Sequence, residues 1–287
     1  VTPFDLFVGV DWSGERGPKT RRLQVAVCGS GRDAPVLVGN PAGGAWTRPD
    51  FVAWLTGQAQ TAHVACGLDF SFCFPWEDRQ AYFPGFADDP DDHAGFWDLV
   101  EAMSIDEESL FGGGLAQVAP FDDHFRRGVA TGAAYARRLR VTEARTQALG
   151  LGTAESVFNL VGARQVGKSS LAGMRTLRLL KQGGGVAVWP FEDVGDARLV
   201  MLESFPTAFV RMAGGGAGKV RDAARLNGVL GFYRSGPVAS FDMTDDMTDA
   251  LIISAALRCL TPDDAMWRPV GLSDRVRRFE GWTFGIT

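Results

Sequence analysis

Five acidic side chains stand at places where an acid is expensive to keep. Asp11 closes the apolar run that begins at Leu6, Asp69 closes His63–Asp69, and Glu203 closes Ala197–Glu203. Asp246 and Asp249 open a stretch whose continuation, Ala250 to Leu257, is apolar nearly all round. A carboxylate at the end of a buried element is costly unless something positive meets it. For one acid alone a simple account suffices, such as a turn aspartate capping backbone N–H groups. Acids in a first helical turn complement the helix dipole, which accounts for Asp242 and Asp245. That account does not extend to Asp249, deeper in a buried helix, nor to three strand ends built alike. Asp245 and Asp246 stand four and three residues before Asp249, so either can share its face. Strand ends meet at one edge of a sheet, and a helix docked there adds its first turn. Carboxylates that converge repel one another and call for cations. Hard oxygen ligands with no histidine nearby suit Mg²⁺ or Mn²⁺. Two such ions about 4 Å apart are the usual means of cutting phosphodiesters. The expected ligands and catalytic groups are therefore Asp11, Asp69, Glu203, Asp246 and Asp249.

A second motif points to phosphate by another route. Gly162 to Ser169 matches the phosphate-loop pattern G-x-x-x-x-G-K-[ST] letter for letter. A short apolar run, Val157 to Val161, precedes it. A helix from Ser169 to Lys181 follows, with Leu171, Met174, Leu177 and Leu180 on one face. Lys168 would then hold phosphate. Against this, the loop sits mid-chain with two convincing strands after it, whereas phosphate loops open an early unit of a parallel sheet. In an actin-like sheet the turn Asp11-Trp12-Ser13-Gly14 would take that role, with Ser13 as the hydroxyl.

Charge is segregated along the chain. Residues 77–123 carry thirteen Asp and Glu against Arg79, a net of −12, and residues 126–181 carry eleven Arg and Lys against Glu143 and Glu155, a net of +9. Either two faces neutralise each other, or the basic segment borders the acidic site as a groove for a polyanion. Arg137, Arg138, Arg140 and Arg145 are its densest part.

The elements that must position these groups can be read in order. Leu6 to Asp11 and Leu23 to Cys28 are strands joined by a turn, and Pro35 to Val38 is a short third. Thr47 and Pro49 start a helix with Phe51, Trp54 and Leu55 on one face. His63–Asp69, Val186–Trp189 and Ala197–Glu203 are further strands. Lys219 to Phe232 is an amphipathic helix behind a glycine loop, Gly214 to Gly218. Residues 77–185 read as helices and loops inserted into one sheet. At 287 residues the chain can bury a large core as one domain, residues 1–287, with that insertion. No run of 18 apolar residues and no signal peptide is visible. Cys28, Cys66, Cys73 and Cys259 form no C-x-x-C pair and read as reduced thiols of a cytoplasmic protein. The net charge of −5 argues against indiscriminate nucleic-acid binding. His63, His93 and His124 lack any nucleophile context. His63 is expected to be structural, and His93 and His124 to lie at the surface.

Four stretches together resemble a known family. They are Gly-Val-Asp11, Gly-Leu-Asp69, Glu203-Ser-Phe-Pro206 and Asp245-Asp246-Met-Thr-Asp249-Ala-Leu. In order and spacing they are similar to the predicted nucleases of domain-of-unknown-function family 429, within the ribonuclease H-like superfamily. The resemblance spans almost the whole chain. It implies an α/β fold: a mixed sheet whose first three strands form an antiparallel meander, with later strands parallel and helices on both faces. It also implies a metal-dependent nuclease. The long charged middle departs from simpler relatives and leaves the substrate open. Three readings stand side by side: a metal-dependent nuclease or related hydrolase, a nucleotide-binding ATPase, and a catalytically silent nucleic-acid-binding scaffold.

Overall fold

The computed structural model describes residues 3–104, 109–161 and 166–287. Nine strands and eight α-helices occur among them. The strands are β1 (Leu6–Asp11), β2 (Gln24–Gly29), β3 (Val36–Val38), β4 (Val64–Leu68), β5 (Arg126–Arg127), β6 (Ala130–Thr131), β7 (Asn159–Val161), β8 (Val186–Trp189) and β9 (Leu199–Glu203). The helices are α1 (Arg48–Thr61), α2 (His93–Ala102), α3 (Val141–Ala148), α4 (Gly167–Gln182), α5 (Pro206–Met212), α6 (Ala223–Phe232), α7 (Asp245–Leu260) and α8 (Asp274–Phe279).

The main sheet has the order β3-β2-β1-β4-β9-β8. β1, β2 and β3 pair antiparallel, and β4, β9 and β8 continue parallel to β1. This is the expected α/β mixed sheet, a meander followed by parallel strands, and it is consistent with a ribonuclease H-like topology. Because strand side chains alternate, each strand feeds two cores. Val8, Val10, Cys66, Leu68 and Met201 pack with Phe51 and Leu55 of α1 and with Leu171 and Leu177 of α4. Phe7, Ala65, Val200 and Leu202 pack with Leu251, Ile253 and Leu257 of α7 on the other face.

Two glycines let α7 lie very close to the sheet. A Cβ on Gly9 would stand 2.2 Å from the carbonyl oxygen of Ala250, and one on Gly67 would stand 2.6 Å from Ile253. Any side chain there would push the helix outwards. Gly9 alternates with Asp11 along β1, and Gly67 alternates with Asp69, so both acids point to the α7 side. Two residues of strand span about 7 Å, which matches about four residues of helix. Stepping from Gly9 to Asp11 along β1 therefore steps back from Ala250 to Asp246 along α7. Thr244 starts α7 where these ends meet, its hydroxyl accepting from Met247 N–H at 3.2 Å.

Local signals placed most elements. Thr47 caps α1 by accepting from Asp50 N–H at 3.0 Å, with Pro49 in the first turn. One helix starts later than expected. Residues 219–222 are not helical, and α6 begins at Ala223 because Asp222 accepts from Arg225 N–H at 2.8 Å. Residues 77–185 hold α2, α3 and α4 but also a small sheet, β6-β5-β7, of which the sequence suggested only β7, in the short run Val157 to Val161. Their aromatic side chains, among them Phe83, Phe96, Phe125 and Phe158, join the same core as Val8 and Val10. No helix among the described residues is long and apolar enough to cross a membrane. All four cysteines are free thiols.

Candidate metal centre

Asp11, Asp69 and Asp249 come together at the edge of the sheet where β1 and β4 end. One carboxylate oxygen from each lies within 4.8 Å of the others. Asp249 is buried, while Asp11 and Asp69 keep partial solvent contact. Asp246 sits beside them, close enough to Asp11 for the two carboxyls to interact, and faces the exposed Arg22 at 3.7 Å. Asp245 turns away to Arg221, 3.3 Å distant.

Glu203 is placed differently. In the β4–β9 register it pairs with Leu68, one residue before Asp69. Leu199 and Met201 alternate with it and pack on the α4 side, so Glu203 leaves its strand on the opposite face from the triad. Both its oxygens are engaged there. Arg140 grips it with two nitrogens at 2.5 and 2.8 Å, and Thr283 Oγ1 and Phe72 N–H add bonds of 2.7 and 2.8 Å. Arg140 also donates to Glu143 at 3.0 Å and to the carbonyl of Glu280 at 3.0 Å.

The expected basic groove is largely consumed inside the protein. Arg138 is buried and donates to Asp78 and to the carbonyls of Pro75, Ala81 and Tyr82. Arg175 pairs with Glu101 at 2.7 Å and Arg178 with Asp98 at 2.6 Å. The acidic and basic segments thus neutralise each other across their shared core. Arg137 is outside it and bonds the Ala154 carbonyl at 3.1 Å. Arg145 holds the Thr287 carbonyl.

Of the phosphate-loop match, residues 162–165 lie outside the described residues. The strand before it, β7, belongs to the small sheet and not to the main one. Lys168 lies half-buried in the first turn of α4. Gly14 presses on that turn: a Cβ there would stand 2.3 Å from Ser169 N. Ser13 Oγ accepts from Glu15 N–H at 3.2 Å, and its carbonyl accepts from Arg48 at 2.6 Å. That turn is thus built into the core side. His63 is buried and bonds the Pro3 carbonyl, as a structural residue would. His93 is half-buried and stacked on Phe191, and His124 is half-buried against Phe83, so neither is a free surface group.

One residue at the centre was not anticipated. Lys219 sends Nζ to within 2.6 Å of Asp249 Oδ2. Its signal was the glycine run before it, which frees the backbone to turn a lysine inwards. Beside the triad opens a cavity of about 450 Å³, lined by Asp69, Lys219, Ser169, Arg211, Phe205 and the Arg140–Glu203 pair among others.

The triad holds protons tightly. Burial is the largest cause for all three acids. Neighbouring carboxylates push in the same direction, and Lys219 pulls back. Asp69 is pushed up to about 7. A folded-state value above the unfolded one means the native protein carries extra protons between roughly pH 4 and 7, so metal-free stability falls as pH rises through that window. His93 and His124, lowered by burial, act in the opposite direction. Thermal melts of wild type and Asp69→Asn in a chelator, from pH 5 to 8, separate the two. The advantage of Asp69→Asn over wild type should grow with pH and level off above about 7. A constant difference would show that Asp69 ionises as freely as in the unfolded chain.

Three clustered carboxylates with oxygen donors only, desolvated and already answered by one ammonium, fit a hard divalent cation. Searches against protein-family models, curated proteins and solved structures find no match to this chain.

Proposed function

We propose that this protein is a divalent-metal-dependent phosphodiester hydrolase, a nuclease of the ribonuclease H-like kind. The observation that carries this is the convergence of Asp11, Asp69 and Asp249 within 4.8 Å at the sheet edge. The same residues carry the resemblance to family 429, for which nuclease activity is the implied role. Bound Mg²⁺ or Mn²⁺ would supply charge neutralisation and Lewis-acid polarisation at a phosphoryl group. The chain's own residues do the rest. Asp11, Asp69 and Asp249 hold the cation, with Asp246 beside Asp11. Gly9 and Gly67 fix the distance between sheet and helix that sets their spacing. Cavity residues such as Ser169 and Arg211 would contact the substrate. Arg138 and Arg140 are occupied internally, so the substrate is nucleic acid held without a long basic groove, or a smaller phosphoester.

Calorimetric titration with Mn²⁺, together with cleavage of oligonucleotides and of bis(p-nitrophenyl) phosphate, tests this reading. Wild type should bind Mn²⁺ and cleave, and Asp69→Asn should lose both. A wild type that binds no Mn²⁺ would return the fold to the scaffold reading.

A further inference from the structure

The loop that delivers Lys219 is built with unusual care for a stretch of glycines. Gly214, Gly216 and Gly218 all take positive φ, at 70°, 75° and 87°. Alternating left-handed residues turn successive carbonyls towards a common centre, and one guanidinium fills it. Arg225 donates to the carbonyls of Gly215, Ala217, Gly218 and Lys219 at 2.9 to 3.0 Å. The far end of the loop is tied to α7 at the residue next to Asp249. Thr248 Oγ1, fully buried, donates to the Val220 carbonyl at 2.8 Å. The backbone of Lys219 is therefore fixed from both sides, while its side chain remains about half exposed. That side chain lies at the junction of the triad and the 450 Å³ cavity, which it lines together with Asp69.

From this we infer that Lys219 is the resident counter-cation of the metal centre, exchanged for the divalent ion and then used on the substrate. Resting on the metal-dependent reading above, the inference concerns what one side chain does there. Without metal, the ammonium occupies Asp249 and offsets part of the charge of the three carboxylates. A divalent cation that takes Asp249 Oδ2 as a ligand displaces it, because that oxygen is the one Lys219 holds at 2.6 Å. Since its backbone cannot leave, the released ammonium swings to the cavity mouth and meets the substrate's phosphate. Arg225 is the positioning residue that keeps it within reach. A merely structural ion pair would serve stability alone and would show neither competition with metal nor a substrate effect.

The two roles predict effects of opposite sign. Lys219→Met removes the competitor, so Mn²⁺ should bind roughly tenfold more tightly by calorimetry, the scale of one charge interaction at a partly exposed site. The same variant should raise KM for bis(p-nitrophenyl) phosphate severalfold with kcat little changed. Lys219→Arg should keep wild-type Mn²⁺ affinity. Arg225→Gln retains the lysine but unfastens its loop, and should show a smaller gain in Mn²⁺ affinity with a similar rise in KM. It provides the test if Lys219→Met does not fold. Mn²⁺ affinity unchanged or weakened in both variants would overturn the exchange. An unchanged KM would overturn the substrate contact. Failure of Mn²⁺ to bind wild type sinks the hydrolase reading and this inference together, whereas normal binding that ignores Lys219 sinks only this one.

Discussion

Asp249→Asn is expected to raise the melting temperature of the metal-free protein while removing its response to metal. Asp249 is buried and its carboxyl is held above the ordinary range, burial being the main cause. Ionising it beside Asp11 and Asp69 therefore costs the folded state more than it costs the unfolded chain. Asparagine keeps the shape and removes the charge. Lys219 loses its partner, but that ammonium is about half exposed, so water replaces much of what it had. The balance favours the variant, and each 1 kcal/mol gained would raise the melting temperature by roughly 2 °C for a chain of this length. Mn²⁺ affinity should fall by more than about 100-fold, beyond the range usual for groups that only support a ligand, and any cleavage should vanish. Parallel melts with and without Mn²⁺ give both signs at once. A lower melting temperature with unchanged Mn²⁺ affinity would make Asp249 an anchor for Lys219 and remove it from the metal set.

That the triad could be read from sequence, and Glu203 less well, has a geometric cause. Asp11 and Asp69 each follow a glycine two residues back, and Gly9 and Gly67 are what admit α7. Glycine and acid on the same side of a strand, twice, is a pattern of helix approach and clustered carboxylates in one. Glu203 ends its strand in the same way but has Met201 at that position. Its side therefore faces the α4 core and the cavity wall that it shares with Arg140, and not α7. Strand ends are visible in a sequence; which face each end presents depends on register between strands far apart in the chain. The arginines were opaque for a related reason. Composition shows that residues 126–181 are basic, but only the packing shows that Arg138 meets Asp78 and Arg175 meets Glu101. Lys219 lay hidden because its preceding glycines read as slack, when Arg225 makes them rigid.

The largest loss of stability is expected at Arg140. It is fully buried between Glu203 and Glu143, with bonds of 2.5 to 3.0 Å to the two carboxylates. Arg140→Met fills similar space but leaves two acids in the interior without their cation. Breaking a buried pair from one side typically costs about 3–5 kcal/mol, here a fall in melting temperature of roughly 6–10 °C. Arg140→Met combined with Glu203→Gln should recover part of that loss, because only Glu143 is then left unanswered; the coupling appears as a double-mutant cycle. Glu203→Gln alone also decides what Glu203 is for. With its oxygens held by Arg140, Thr283 and Phe72 on the α4 side, the charge serves the joint between β9, α3 and the C-terminal segment. The variant should therefore be destabilised, yet bind Mn²⁺ within a small factor of wild type, the residual effect coming from its field at Asp69. Loss of Mn²⁺ binding in a Glu203→Gln protein that still melts cooperatively would put Glu203 back among the ligands. It would also mean that Arg140 releases it when metal arrives.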